Sequence, residues 1–317
     1  MPRVGPRAFL LLAQASLVLV VLNIVSGAAV RLTDSGLGCP DWPTCSARSV
    51  TPPLTFHPVV EFSNRMVVVA LSAVVAATLI ASWLRRPRRR DLAWLSAALV
   101  GGVVGEAVLG GVVVYSKLNP YAVMTHFMVG MALLTVALVL ALRSGRARGP
   151  GRSLVPSAGR RVAWLFSALV VLAVVAGTAT TGSGPHAGGP DAVRLPVPLD
   201  DMARTHSGIA IAAGALLLVE LALLRRARAP EGVERRGELM LVAVVAQGAL
   251  GYTQFFLHVP ALLVGFHVFG ATLVWGATVW FLDGLRAHDV EIGAVAAVAE
   301  PEDAALSPPA IAAGVGR

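Results

Sequence analysis

The stretch SGAAVRLTDSGLGCPDWPTC, Ser26–Cys45, decides how this chain is to be read. It leaves an apolar run, turns through Thr33, Asp34, Ser35 and Gly36, and then presents Cys39 and Cys45 with Pro40 and Pro43 between them. The run before it, near 8–30, holds about 23 residues, enough to cross roughly 30 Å of hydrocarbon as a helix. Arg3 and Arg7 precede it and small residues end it, as in a signal peptide, yet a signal h-region holds only about 7–15 apolar residues. The run therefore reads as a retained first membrane helix, and the cysteine segment as a loop on one membrane face.

The rest of the chain repeats that pattern. Of 317 residues, 56% are hydrophobic and only 14% charged, with a mean hydropathy of +0.73. Soluble chains average about a quarter charged residues, so a soluble globular domain is excluded. Eight apolar runs are long enough to span: near 8–30, 62–84, 92–115, 122–142, 162–181, 204–224, 237–257 and 260–285. Twenty of the 26 Lys and Arg fall on the N-terminus, on 85–90, 143–161 and 225–236, and on the tail. That bias puts both termini in the cytoplasm and the cysteine loop on the outer face of the cell membrane. The formal charge of +8 then serves topology and contact with membrane lipid, and implies no nucleic acid.

The longest basic linker, 143–161, divides the chain into an N-terminal four-helix half, 1–142, and a C-terminal half, 162–285. The Ala-, Pro- and Glu-rich stretch 286–317 reads as a disordered cytoplasmic tail. Outer connections alternate long, short, long, short, which suggests duplication. At an offset of 150, Gly27, Ala29, Gly38 and Pro40 meet Gly177, Ala179, Gly188 and Pro190. At 141, Leu109, Gly110 and His126 meet Leu250, Gly251 and His267, and Glu106 meets Gln247; at 142, Asn64 meets His206. The expected fold is all-α: eight transmembrane helices as two tandem four-helix bundles, related by a pseudo-twofold axis along the membrane normal.

His126, His206 and His267 stand near the starts of the fourth, sixth and eighth runs, at one level towards the outer leaflet. A single such His is often an interfacial hydrogen-bonding residue. Three at one level point to haem iron, which needs imidazoles from facing helices at one depth. His57, His258 and His288 belong to loops or the tail. No C-x-x-C-H occurs, which excludes a covalently attached c-type haem.

These features resemble the haem A synthase family over all eight runs, in its bacterial cysteine-pair type. The motifs are Gly27-Ala28-Ala29-Val30-Arg31-Leu32-Thr33, Gly36-Leu37-Gly38-Cys39-Pro40-Asp41-Trp42-Pro43, Glu61-Phe62-Ser63-Asn64-Arg65, Leu109-Gly110-Gly111-Val112, Asn119-Pro120, Thr205-His206 and Phe266-His267. The resemblance implies oxidation of the C8 methyl of haem O to a formyl group, by two successive hydroxylations with water as oxygen source. It implies a resident haem b on His206 and His267, and a substrate pocket at His126, Asn64 and Arg65. His186, in Thr181-Gly182-Ser183-Gly184-Pro185-His186, resembles a family loop motif over the C-terminal haem and is expected behind the ligands, as are Glu106 and Gln247. Many family members have His where Asn64 stands. Either His126 is then the sole protein ligand or water takes the other face; a degenerate half is the alternative.

Glu61 precedes Asn64 by one helical turn and Arg65 by four residues, so the three share a face. Its bland role is a surface ion pair with Arg65. Its catalytic role is to stabilise positive charge at the methyl carbon or to accept a proton. Cys39 and Cys45, on the oxidising side, are expected as a disulfide, either a structural clip or a redox pair. A di-haem membrane cytochrome b is the rival reading; it needs paired His ligands in both leaflets, whereas here all candidates crowd one. A haem O synthase (farnesyltransferase) in the same membrane and a homo-oligomer are the implied partners.

Overall fold

The computed structural model describes residues 3–47, 49–147, 149, 151–190 and 192–288. Eight helices dominate: α1 Pro6–Leu32, α2 Phe56–Leu84, α3 Arg90–Tyr115, α4 Pro120–Ser144, α5 Ser157–Ser183, α6 Leu199–Arg226, α7 Glu231–Phe256 and α8 Ala261–Gly284. All eight are long and apolar enough to cross a membrane. The protein is an all-α integral membrane protein.

Proline and capping residues set the helix starts. Pro6 and Pro120 occupy first-turn positions, where their missing N–H is no loss. The Asn119 side chain accepts hydrogen bonds from the amides of Tyr121 (3.0 Å) and Ala122 (3.4 Å), capping α4. On α6, Asp200 and Asp201 open the first turn and Arg225 and Arg226 close the last, each sign matching its end of the helix dipole. Large apolar side chains such as Val69, Trp94, Leu172 and Val242 face outward, as hydrocarbon requires.

Packing closes two rings. α1 contacts α2 and α4, α2 contacts α3, and α3 contacts α4; α5, α6, α7 and α8 close in the same way. Phe9, Leu71, Leu99 and Met131 fill the first ring, and Phe166, Leu217, Met240 and Val274 the second. The rings meet where α1 and α4 contact α8 and where α4 contacts α5. Trp275 Nε1 on α8 donates to Thr135 Oγ1 on α4 across that seam at 2.8 Å. At one end Arg146 makes two 2.6 Å hydrogen bonds to Asp283. At the other, Arg31 Nε donates to the His186 carbonyl at 2.7 Å and the Gly36 amide to Gly188 at 3.0 Å.

The offset of 141 recurs in the backbone. Lys117 and Leu118 in the α3–α4 turn have φ of 51° and 61°; His258 and Val259 in the α7–α8 turn have 61° and 53°. The Leu118 amide donates to Val113 O at 2.9 Å, and the Val259 amide to Gln254 O at 2.7 Å. These two turns, 141 residues apart, share a pair of left-handed residues and the same hydrogen bond.

Three expectations need correction. α2 begins at Phe56, not near 62, so Glu61 sits in its second turn and His57 lies on the helix instead of in a loop. The His57 ring is held there by Ser35 Oγ, 3.0 Å from Nδ1. The tail is ordered at its root: Arg286 and Ala287 (β2) pair antiparallel with Arg152 and Ser153 (β1) of the linker. The remainder of the expected disordered tail lies outside the described residues.

Candidate functional site

The longer helices settle the depth of the histidines. His126 is the seventh residue of α4, His267 the seventh of α8 and His206 the eighth of α6. At 1.5 Å per residue all three lie roughly 10 Å in from one common face, the face that carries the cysteine loop.

In the C-terminal ring, His206 and His267 face each other with ring centres 6.1 Å apart and planes at 81°. His206 Nδ1 donates to the Ala173 carbonyl of α5 at 2.7 Å, which leaves Nε2 as the free acceptor. Glycines give both rings room. A Cβ at Gly177 would lie 3.1 Å from His206 Cε1, and one at Gly251 would lie 3.0 Å from His267 Cε1. Gln247 Nε2 donates to the His267 carbonyl at 2.7 Å, tying α7 to the backbone of that residue.

The spacing of this pair fits a haem. Two imidazoles on opposite sides of one metal, each nitrogen about 2 Å from it, put ring centres roughly 6 Å apart. His267 Nδ1 is buried and has no hydrogen-bond partner among the described residues. No group of three or more His, Cys, Asp or Glu able to hold a metal ion forms among those residues. A metal at this pair would therefore bring most of its ligands with it, as a porphyrin does.

The N-terminal ring is built differently. His126 Nδ1 lies 3.2 Å from Glu106 Oε2 on α3, without the alignment of a good hydrogen bond, and Glu106 Oε1 is also buried and unpartnered among the described residues. Asn64 turns to α1, where its Oδ1 accepts from Ser26 Oγ at 2.7 Å. Asn23, four residues before the family-like motif that begins at Gly27, has an Oδ1 on the same helix that is buried and without a partner among the described residues. Sequence reading missed it, because a lone Asn in an apolar run carries no motif.

The cysteine loop is gripped from below by α2. Cys39 and Cys45 form a disulfide, as expected. Glu61 Oε2 accepts from the Cys39 amide at 2.8 Å, and Oε1 accepts from Arg65 Nη2 at 2.5 Å. Arg65 Nη1 donates to the carbonyls of Asp41, Pro43 and Thr44 at 2.9, 3.1 and 2.7 Å. Its guanidinium also stacks 4.8 Å from the Trp42 ring centre. Both side chains are buried, so the pair is not the exposed, weak ion pair that its spacing alone allows. Trp42 in turn packs on α3: a Cβ at Gly110 would lie 3.6 Å from Trp42 Cη2 and 3.9 Å from His126 Cε1. The chain Glu61, Arg65, Trp42, Gly110, His126 is thus contiguous. Beside it Trp42 and the outward-facing Val108, Val112 and Tyr115 of α3 line a shallow, open apolar depression.

His186 is placed over the C-terminal ring but is engaged by loops. Its Nε2 lies 2.8 Å from the Val259 carbonyl in the α7–α8 turn. It fastens that turn to the loop that Arg31 holds from the other ring.

The clip has a measurable consequence. Replacing Cys39 and Cys45 together by Ser should leave the helices intact and destabilise the loop by about 2–3 kcal/mol, the closure entropy of so short a ring. Hydrogen exchange at 39–45 should rise while exchange within the eight helices stays unchanged. Exchange rising equally throughout the N-terminal ring would show that the bridge supports the whole half.

Comparison with known proteins follows the same lines. Residues 10–188 match the COX15-CtaA family of cytochrome oxidase assembly proteins. The chain is 34% identical over 130 residues to a protein named haem A synthase of Geobacillus kaustophilus, covering 39% of this chain and 40% of that one. It is 33% identical over 144 residues to a haem A synthase of Geobacillus thermodenitrificans, covering 43% and 44%. It is 29% identical over 131 residues to one of Lysinibacillus sphaericus, covering 41% and 42%. These alignments span less than half the length of each relative. An eight-helix membrane protein with this disulfide loop, matched over more than half its length by the family model, belongs to the COX15-CtaA family.

Proposed function

We propose that this chain acts as a haem A synthase, an oxidoreductase that converts the C8 methyl of haem O to a formyl group for the cofactor of cytochrome oxidase. The observation that carries the reading is the asymmetry of the rings. One presents a facing pair of histidines with the spacing of a doubly ligated haem, and the other a single histidine under a clamped polar lid. The names of the relatives agree with it. A di-haem cytochrome b would call for paired histidines in both leaflets, whereas His126, His206 and His267 all lie seven or eight residues into their helices from one face.

In this reading the loop face is the outer side of the cell membrane and both termini are cytoplasmic. The two rings are related by a pseudo-twofold axis along the membrane normal, which the repeated turns and the matching α1–α8 and α4–α5 contacts support. His206 and His267 hold a haem b, which when bound supplies one-electron redox capacity. The His126 ring takes haem O, and the apolar depression beside Trp42 suits the farnesyl chain of that substrate. A haem O synthase in the same membrane and a homo-oligomer are the partners this reading calls for.

The overall change converts a methyl and one water into a formyl group, releasing four protons and four electrons. The first oxidation gives the alcohol; the second gives the hydrated aldehyde, which loses water. The carboxylate of Glu61 is suited to this as a fixed negative charge near a carbon that becomes positive. With both oxygens already accepting hydrogen bonds, it is oriented before substrate arrives. Arg65 and the disulfide loop hold it there and limit water to what the pocket admits. His126, set beside Glu106, orients the substrate macrocycle.

The test is expression of this chain in cells that make haem O, with extracted haems resolved by chromatography and mass. Haem A should appear. Unchanged haem O together with protein-bound haem b would favour the cytochrome.

A further inference from the structure

Gly177 and Gly27 occupy corresponding places on α5 and α1, 150 residues apart, yet their surroundings differ. At Gly177 a Cβ would press on the His206 ring at 3.1 Å, whereas at Gly27 nothing of the protein lies within 4 Å. The position that His206 holds in the second ring is held in the first by Asn64, whose side chain turns to Ser26 on α1 at 2.7 Å. The space a ring at 64 would fill is open. One turn earlier on α1, the Asn23 side-chain oxygen is buried without a partner among the described residues.

The opposite side is reinforced instead. Glu106 and Gln247 occupy corresponding places on α3 and α7 but reach different atoms. Gln247 holds the backbone carbonyl of His267, whereas Glu106 comes within 3.2 Å of the imidazole Nδ1 of His126. Glu106 is within reach of Nδ1 without being aligned on it; drawn into line, a carboxyl oxygen there fixes the tautomer that presents Nε2 to a metal, and does so more strongly than an amide.

Resting on the reading of this ring as the substrate pocket, we infer that it grips its haem from one side only. His126 is the single protein ligand, Glu106 is the residue that positions it, and the face bounded by Gly27, Asn64 and Asn23 admits a small iron ligand from solution. The two rings are then functionally unlike by construction. The C-terminal pair closes both faces of its haem, and the N-terminal ring keeps one face for a small molecule.

The experiment is spectroscopic and needs no turnover. Purified full-length protein is loaded with haem O, and haem stoichiometry is measured in wild type and in His126→Ala. Loss of one haem in His126→Ala establishes that the pocket is occupied; no loss refutes the substrate-pocket reading itself. With the pocket occupied, wild type should show one low-spin haem and one high-spin haem, and added imidazole should convert the high-spin signal alone. Asn64→His should be low-spin without imidazole. Two low-spin haems in wild type, with no response to imidazole, would overturn the one-sided pocket. An Asn64→His variant that stays high-spin while folding and binding haem normally would do the same. In the ferrous high-spin form, Glu106→Gln should shift the iron–histidine stretching band to lower frequency with haem retained, and Glu106→Leu should shift it further. Affinity for haem O should fall roughly 10–100-fold in the Leu variant, the usual range for losing a partner behind a ligand. An unmoved band in both variants would overturn the positioning role of Glu106.

Discussion

Glu61→Gln is expected to lower haem A formation by roughly 10²–10³-fold, the range seen when one preorganised electrostatic group is removed from a reacting centre. Gln keeps the size and an acceptor for the Cys39 amide but removes the negative charge. Haem b should remain, because His206 and His267 belong to the other ring. The structure adds a complication that the residue order alone does not reveal. The same change strands a buried guanidinium, and breaking a buried ion pair by removing one partner costs about 3–5 kcal/mol. A loss of activity could then arise from a disturbed loop. Hydrogen exchange at 39–45 separates the two causes, since Arg65 keeps its bonds to the carbonyls of Asp41, Pro43 and Thr44 in the single variant. If the negative charge is what the reaction needs, haem A falls while exchange in the loop stays at the wild-type rate. If the loop is what matters, exchange rises together with the loss of haem A. Hydroxymethyl haem accumulating in the single variant would place the defect at the second oxidation, and unchanged haem O at the first. Wild-type turnover in Glu61→Gln would leave the carboxylate as a clamp for the loop and nothing more.

The same side chains show what the amino-acid order discloses and what it hides. Hydropathy marks residues at hydrocarbon depth, so all eight spans and the common level of His126, His206 and His267 were legible. It does not mark the polar first turns that project beyond the hydrocarbon. α2 therefore starts at Phe56, six residues before its apolar run, and α6 at Leu199, five before. The cysteine bridge was legible from compartment and spacing. The grip of Arg65 on the carbonyls of Asp41, Pro43 and Thr44 was not, because backbone acceptors have no residue type and appear only when the loop has its conformation. The departure at Asn64 was visible as a missing histidine. That Gly27 faces open space, and that Glu106 comes within 3.2 Å of His126, needed coordinates.

With the proposed haem b held by His206 and His267, replacing either by Ala should remove it. Each change deletes one of two imidazoles whose ring centres stand 6.1 Å apart, leaving a buried iron with one axial ligand in a pocket shaped for two. The loss should exceed the roughly 10–100-fold that follows from removing only a partner behind a ligand. His206 is oriented by the Ala173 carbonyl, and its removal also opens the space against Gly177, so added imidazole has a cavity to enter and should restore part of the low-spin spectrum. His267 has no such partner on Nδ1 among the described residues, but its backbone is held by Gln247. The hole left in His267→Ala is bounded by Gly251 on α7 and should accept imidazole as well, while Gln247→Leu alone should weaken haem binding without changing its spin state. Purified variants, compared by optical and electron paramagnetic resonance spectra at matched protein concentration, decide the matter. A fully retained low-spin spectrum in both alanine variants would mean that the haem sits elsewhere, and the facing histidines would then be a packing contact between α6 and α8.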